Sequence, residues 1–127
     1  MPGGLFTGDQ MALDTVQDYL DKARVLLQDT VQPYRYSDAE LVSCLDEAIL
    51  ECRRLRPDLL RNYFRTSLPD FSPTALTAPV PIDPQYRMAF VYYVTGQAQL
   101  RDEENTQDAR ATVFLNKFVS QLLTIQA

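Results

Sequence analysis

A chain of 127 residues has room for one hydrophobic core of ordinary size and none for a second. Its 46 % apolar and 23 % charged residues place it with folded proteins rather than disordered ones. A formal charge of -5 and a sequence pI near 4.6 argue against a dedicated nucleic-acid binder, which needs uncompensated Lys and Arg to displace counterions from phosphates.

The chain has no histidine, which removes the commonest general base and the commonest metal ligand together. No catalytic residue, metal site or cofactor is therefore expected. No apolar run approaches the roughly 20 residues that span a bilayer, and the start "MPGGLFTGDQM" has neither a basic nor a long apolar segment, so no membrane contact and a cytosolic origin are expected.

Residues 1–12 contain glycine and little pattern, and read as a flexible N-terminal arm. Leu13, Val16, Tyr19, Leu20, Ala23, Leu26 and Leu27 then recur at threes and fours, the stripe of an amphipathic helix from about Asp14 to Gln28. Pro33 bars its extension.

The stretch "PYRYSDAEL" looks reactive, yet its order is that of a helix start. Ser37 followed by Glu40 has the form of a capping box, and Tyr36 and Leu41 occupy the positions of a hydrophobic staple. A serine nucleophile would need a base, and none accompanies it. Leu41, Cys44, Leu45, Ala48, Ile49, Cys52 and Leu55 carry the 3.6 period onward. Eight positions of helix put Cys44 and Cys52 about 12 Å apart along the axis, beyond disulfide reach, so two buried thiols are expected. "LRPDLLRNYF" reads as a short helix opened by Pro57.

Five prolines between Thr66 and Pro84 exclude a long helix there. The same segment holds Leu68, Phe71, Leu76, Val80 and Ile82, which suggests an extended arm or hairpin over residues 66–83 leaning on the bundle or on a neighbouring subunit. Asp83 and Pro84 then form a helix start. Ala89, Phe90, Tyr93, Val94, Gln97 and Leu100 form the inner stripe of the helix that follows. "RDEENTQD" is a turn whose acidic residues match no calcium-loop spacing. A last helix carries Ala111, Phe114, Leu115, Phe118, Val119 and Leu122 and runs into an apolar tail over residues 120–127. Leu122, Leu123 and Ile125 either join the core or meet another chain.

Arg53, Arg54, Arg56, Arg61 and Arg65 gather five of the twelve basic residues into a short stretch. They offer a basic contact patch for nucleic acid or an acidic partner, or they simply complement a helix C-terminus. The expected architecture is all-α: one domain over residues 1–127, built as a small bundle of four main helices and one short helix, with the proline-rich arm and the C-terminal tail as appendages.

Residues 23–59, "ARVLLQDTVQPYRYSDAELVSCLDEAILECRRLRPDL", resemble the N-terminal signature of the head-to-tail adaptor (connector) proteins of tailed bacteriophages. In that family a helix ending near "LLND" leads to an aromatic residue and "SDAEL", and a second helix runs to "LRPD". The matching positions are Leu26, Leu27, Gln28 and Asp29, then Tyr36, Ser37, Asp38, Ala39, Glu40 and Leu41, then Leu55, Arg56, Pro57 and Asp58. Gln28 stands for the usual asparagine and Tyr36 for a frequent tryptophan.

The resemblance implies a non-enzymatic virion protein of the neck, made in the host cytoplasm. It would assemble as a homo-oligomeric ring, usually dodecameric, between the portal protein and a tail or nozzle protein, with DNA passing through the channel unbound. Arms and C-terminal segments would grip the portal and sister subunits, here Leu68, Phe71, Leu76, Val80, Ile82, Leu122, Leu123 and Ile125. A cytosolic regulator using Arg53 to Arg65 is the alternative.

Overall fold

The structure, a computed structural model, describes residues 13–63, 71–102 and 108–124. Four α-helices organise them: α1 (Val16–Leu27), α2 (Asp38–Leu55), α3 (Arg87–Arg101) and α4 (Asp108–Thr124), with short 3-10 helices at Pro57–Tyr63 and Pro84–Tyr86. Among the described residues the one β-type pairing is an isolated antiparallel bridge between Thr15 and Pro79. The all-α bundle read from the periodicity is the fold of this chain.

Local chemistry explains each boundary. α1 opens on a capping box in which the Thr15 hydroxyl accepts from the Asp18 amide and Asp18 accepts from the Thr15 amide, so the helix begins at Val16 rather than Asp14. It ends at Gln28, whose φ of 58° is the left-handed conformation that turns the chain out of a helix. At the start of α2, the Ser37 hydroxyl accepts from the Glu40 amide at 3.1 Å and Glu40 accepts from the Ser37 amide at 3.1 Å. Asp83 accepts from the Gln85 amide in front of the 3-10 turn that feeds α3.

α3 is the central element, packed by α4 most extensively and also by α1 and α2. Being covered from several sides, it buries nearly its whole girth, including Val91, Thr95, Gly96, Ala98 and Gln99, and not the single stripe expected of it. The Thr95 hydroxyl meets this by donating back to the Val91 carbonyl at 2.9 Å. Leu100, expected inside, is 42 % exposed near the end of the helix. Gly96 marks the closest approach to α4: a Cβ there would stand 2.9 Å from the Leu115 side chain and 3.0 Å from the Ala111 carbonyl oxygen. Phe118 of α4 packs edge-on against both Phe90 and Tyr93, at centroid distances of 5.7 and 4.8 Å. α4 stays helical through Thr124, so the residues from Ser120 expected in an extended tail are its last turn, while Ile125 lies outside the described residues.

The described part of the proline-rich segment, residues 71–83, runs back across the start of α1. The Val16 and Gln17 amides, orphan donors of a first helical turn, donate to the carbonyls of Ala78 and Leu76 at 3.0 and 2.9 Å, and Val80 donates to Asp14 at 2.8 Å. Phe71, Val80 and Ile82 sink into the common core, and Leu76 packs against it. The segment is thus a strap that completes the capping of α1. Its prolines suit a chain that accepts a few bonds without joining a regular ladder.

Candidate functional site

Among the described residues the turn between α1 and α2 gathers a dense set of charged and polar contacts, and it coincides with the stretch that resembles the adaptor signature. Its centre is Arg24, on the last turn of α1 and 4 % exposed. The guanidinium donates to Asp29 Oδ2 at 2.9 Å, to the Tyr36 carbonyl at 2.8 Å and to Asp38 Oδ1 at 2.7 Å, and lies 3.9 Å from the centroid of the Tyr34 ring. Asp29, also buried, accepts in addition from the Arg35 amide at 2.7 Å and the Tyr36 amide at 3.0 Å. One carboxylate therefore satisfies three donors, two of them backbone groups of the turn.

A second carboxylate reaches this turn from the end of α3. Asp102 accepts two bonds from the Arg35 guanidinium, at 2.6 and 2.7 Å, and one from the Tyr36 hydroxyl at 2.8 Å. Burial first, and the bond to Asp102 second, push the Tyr36 hydroxyl up to about 12. Next to these groups Arg101 bridges to Glu47 on α2, which also accepts from Gln97 at 3.1 Å. An open polar cleft of about 710 Å³ runs between Asp29, Pro33, Arg35, Tyr36, Glu40, Arg101 and Asp102. Its acids and bases face one another within the chain.

These groups hold the turn in one conformation. Ser37 and Glu40 face each other in the cap, with no histidine anywhere in the chain to act on the hydroxyl. Both cysteines are buried and unpaired, and burial pushes each thiol up to about 11, keeping it protonated at neutral pH. Among the described residues no group of His, Cys, Asp and Glu is placed to hold a metal ion, and no helix is long and apolar enough to cross a membrane.

Of the helix-start motif, Tyr36 and Leu41 lie in the core and Ser37 and Glu40 form the cap. The contact residues expected on the arm and tail fare differently. Phe71, Val80, Ile82 and Leu122 are at most 9 % exposed, buried by this chain's own helices, and so present no free surface to a portal or sister subunit. The bend of the strap brings Phe71, Val80 and Ile82 onto the bundle, and Leu122 lies on the buried side of α4. Leu76 is half-buried against the core, and Leu123 is 48 % exposed. Leu68, Arg65 and Ile125, and the side chain of Arg61, lie outside what the structure describes.

Of the arginine cluster, the described members Arg53, Arg54 and Arg56 differ in their surroundings. Arg54 bonds to Glu51 one turn earlier on α2. Arg56 forks onto Asp58 at 3.0 and 2.9 Å, lies over the Tyr86 ring and donates to the Leu122 carbonyl at 2.5 Å, clasping the end of α4. Arg53 is exposed.

Three features escaped sequence reasoning, two of them at this site. The Arg35 to Asp102 bridge at this site, and the Asp14 to Arg87 bridge at 2.5 Å where α1 and α3 start, join positions far apart in the chain and leave no local signal. Arg24 did leave one: it sits beside Leu20 and Ala23 on the apolar side of α1, where a cation needs a buried acid to accompany it. Comparison with protein-family models, with curated proteins and with solved structures returned no match to this chain.

Proposed function

We propose that this chain is a structural virion protein, a head-to-tail adaptor that joins the portal to the tail of a bacteriophage and surrounds the DNA channel. The observation that supports it best is the division of labour within the resembling stretch. Asp29, Tyr36, Ser37, Asp38 and Glu40 all serve the turn around Arg24, and Arg56, held by Asp58, clasps the end of α4. A helix cap alone arises in any fold; a signature whose scattered positions each hold a part of one framework is harder to meet by chance.

On this reading the protein is not an enzyme and works in the neck of the virion after synthesis in the host cytoplasm. Its partners are the portal, a tail or nozzle protein and its own sister copies in a ring. A net charge of -5 suits a channel wall along which DNA slides without capture. The rival reading, a regulator that grips nucleic acid through Arg53 to Arg65, is weaker because Arg54 and Arg56 are already committed to carboxylates.

The deciding experiment mixes the purified chain with the portal encoded beside it and images the product by electron microscopy. A ring of added density on the outer rim of the portal is the expected result. Bare portals under assembly conditions would overturn the proposal, and salt-sensitive binding to DNA alone would favour the rival.

A further inference from the structure

Residues 78–83 of the strap alternate. Ala78, Val80 and Ile82 turn toward the bundle, the first half-buried and the other two buried, while Pro79, Pro81 and Asp83 are exposed. The backbone alternates with them. Around the antiparallel bridge between Thr15 and Pro79, the Val16 amide donates to the Ala78 carbonyl at 3.0 Å and the Val80 amide donates to the Asp14 carbonyl at 2.8 Å. Bonds made by the residues on either side of a bridged pair mark the kind of pairing in which the two central residues aim their own backbone groups away from each other. The nitrogen of Pro79 therefore points away from α1, and that of Pro81, two positions on along an extended chain, points the same way. Beyond it the Ile82 amide curls back to the Val80 carbonyl at 2.9 Å.

A proline nitrogen carries no proton. The strap thus bonds α1 along one edge, and along the other it has no donor at 79 or 81. An open edge is a template on which another extended chain can add as a neighbouring strand, and proteins commonly block it with charge or with proline. Charge is missing here: from Phe71 to Ile82 there is no Asp, Glu, Lys or Arg. Thr77, Val80 and Ile82 favour extended pairing, and two copies of so neutral a segment would not repel each other locally.

We propose that Pro79 and Pro81 guard the free edge of the strap, keeping the strap of one copy from pairing with the strap of a second. The same two residues serve the inner edge. A residue before proline is pushed toward extended backbone, and the residues so placed, Ala78 and Val80, are the ones that bond to the start of α1. One residue type at alternate positions therefore sets the conformation that caps α1 and removes the donors that a sister strap would need. The device belongs to the strap and works whether or not the chain meets a portal.

The test is Pro79→Thr with Pro81→Thr in the full chain, which returns an amide to each outer position. Sedimentation of concentrated protein, with the infrared amide band recorded on the same samples, reads the result. The parent chain is expected to show no intermolecular-sheet absorption, and the double variant to gain oligomers that do. Val80→Ala loosens the strap without adding a donor, and should gain no sheet. Each single threonine variant should gain less than the pair, and the singles carry the test if the double variant loses its helical circular dichroism. Threonine variants that stay free of intermolecular sheet would overturn the inference. Equal sheet formation by Val80→Ala would overturn it too, because a loose strap would then be sufficient and the missing donors irrelevant.

Discussion

The Arg24 guanidinium donates to Asp29 Oδ2 at 2.9 Å, with side-chain exposures of only 4 and 7 %. Taking both charges out of water is costly, and the pair persists because each partner is saturated: Asp29 holds two backbone amides as well as Arg24, and Arg24 holds a carbonyl and Asp38 as well as Asp29. Removing one partner leaves the other buried and uncompensated. Asp29→Ala is expected to cost about 3–5 kcal/mol, read from the urea midpoint. A loss below about 1 kcal/mol would mean that the pair is solvated like a surface bridge.

Periodicity and caps made most of this fold legible. The stripes of α1, α2 and α4, the Ser37 to Glu40 box and the Asp83 and Pro84 helix start are short-range patterns, and short-range patterns survive in a sequence. The strap was only half legible. Its prolines excluded a helix, but nothing in residues 71–83 says that Leu76 and Ala78 will accept from the first turn of α1. The same limit hid Asp102 as the partner of Arg35, since a bridge across 67 positions has no periodic trace. Apolar residues on an appendage were the least legible of all, because Phe71 and Leu122 look alike whether their shelter is the parent bundle or a neighbour.

Gln28 ends α1 at a φ of 58°, a conformation in which its Cβ crowds the backbone. Asparagine tolerates this region better and glycine best. Gln28→Gly is expected to stabilise the fold by about 0.5–1 kcal/mol and Gln28→Asn by less, because the left-handed strain outweighs the extra freedom glycine gives the unfolded chain. The measurement is the shift in denaturation midpoint. A destabilised glycine variant would show that the Gln28 side chain contributes more than its backbone costs.

The strap and α1 should open together. Val16 and Gln17 owe their amide protection to the Ala78 and Leu76 carbonyls, and the strap is anchored by Val80 at 2 % exposure. Val80→Ala loosens the anchor at the strap. Native-state hydrogen exchange should then quicken at Val16 and Gln17 by at least about fivefold relative to Val94 at the centre of α3. Equal quickening at all three would mean that the strap leaves only when the whole bundle unfolds.

Burial raises the Cys44 and Cys52 thiols from 9.0 to about 11, and raises the Tyr93 hydroxyl from 10.0 to about 12. Tyr36 is raised from 10.0 to about 12 as well, by burial and by Asp102. In each case the folded chain keeps a proton that the unfolded chain has already released, so the folded state binds more protons and stability falls as pH rises. The contribution of these groups is complete below pH 9, and the thiols lose theirs between 9 and 11. The tyrosines follow between 10 and 12. Each group steepens the decline by at most about 1.4 kcal/mol per pH unit inside its window. Urea midpoints under reducing conditions should therefore hold steady up to pH 9 and then drop. Cys44→Ala with Cys52→Ala lowers the plateau through lost packing but flattens the slope between 9 and 11, because two of the groups that titrate there are gone. An unchanged slope in that variant would assign the alkaline loss to the tyrosines alone.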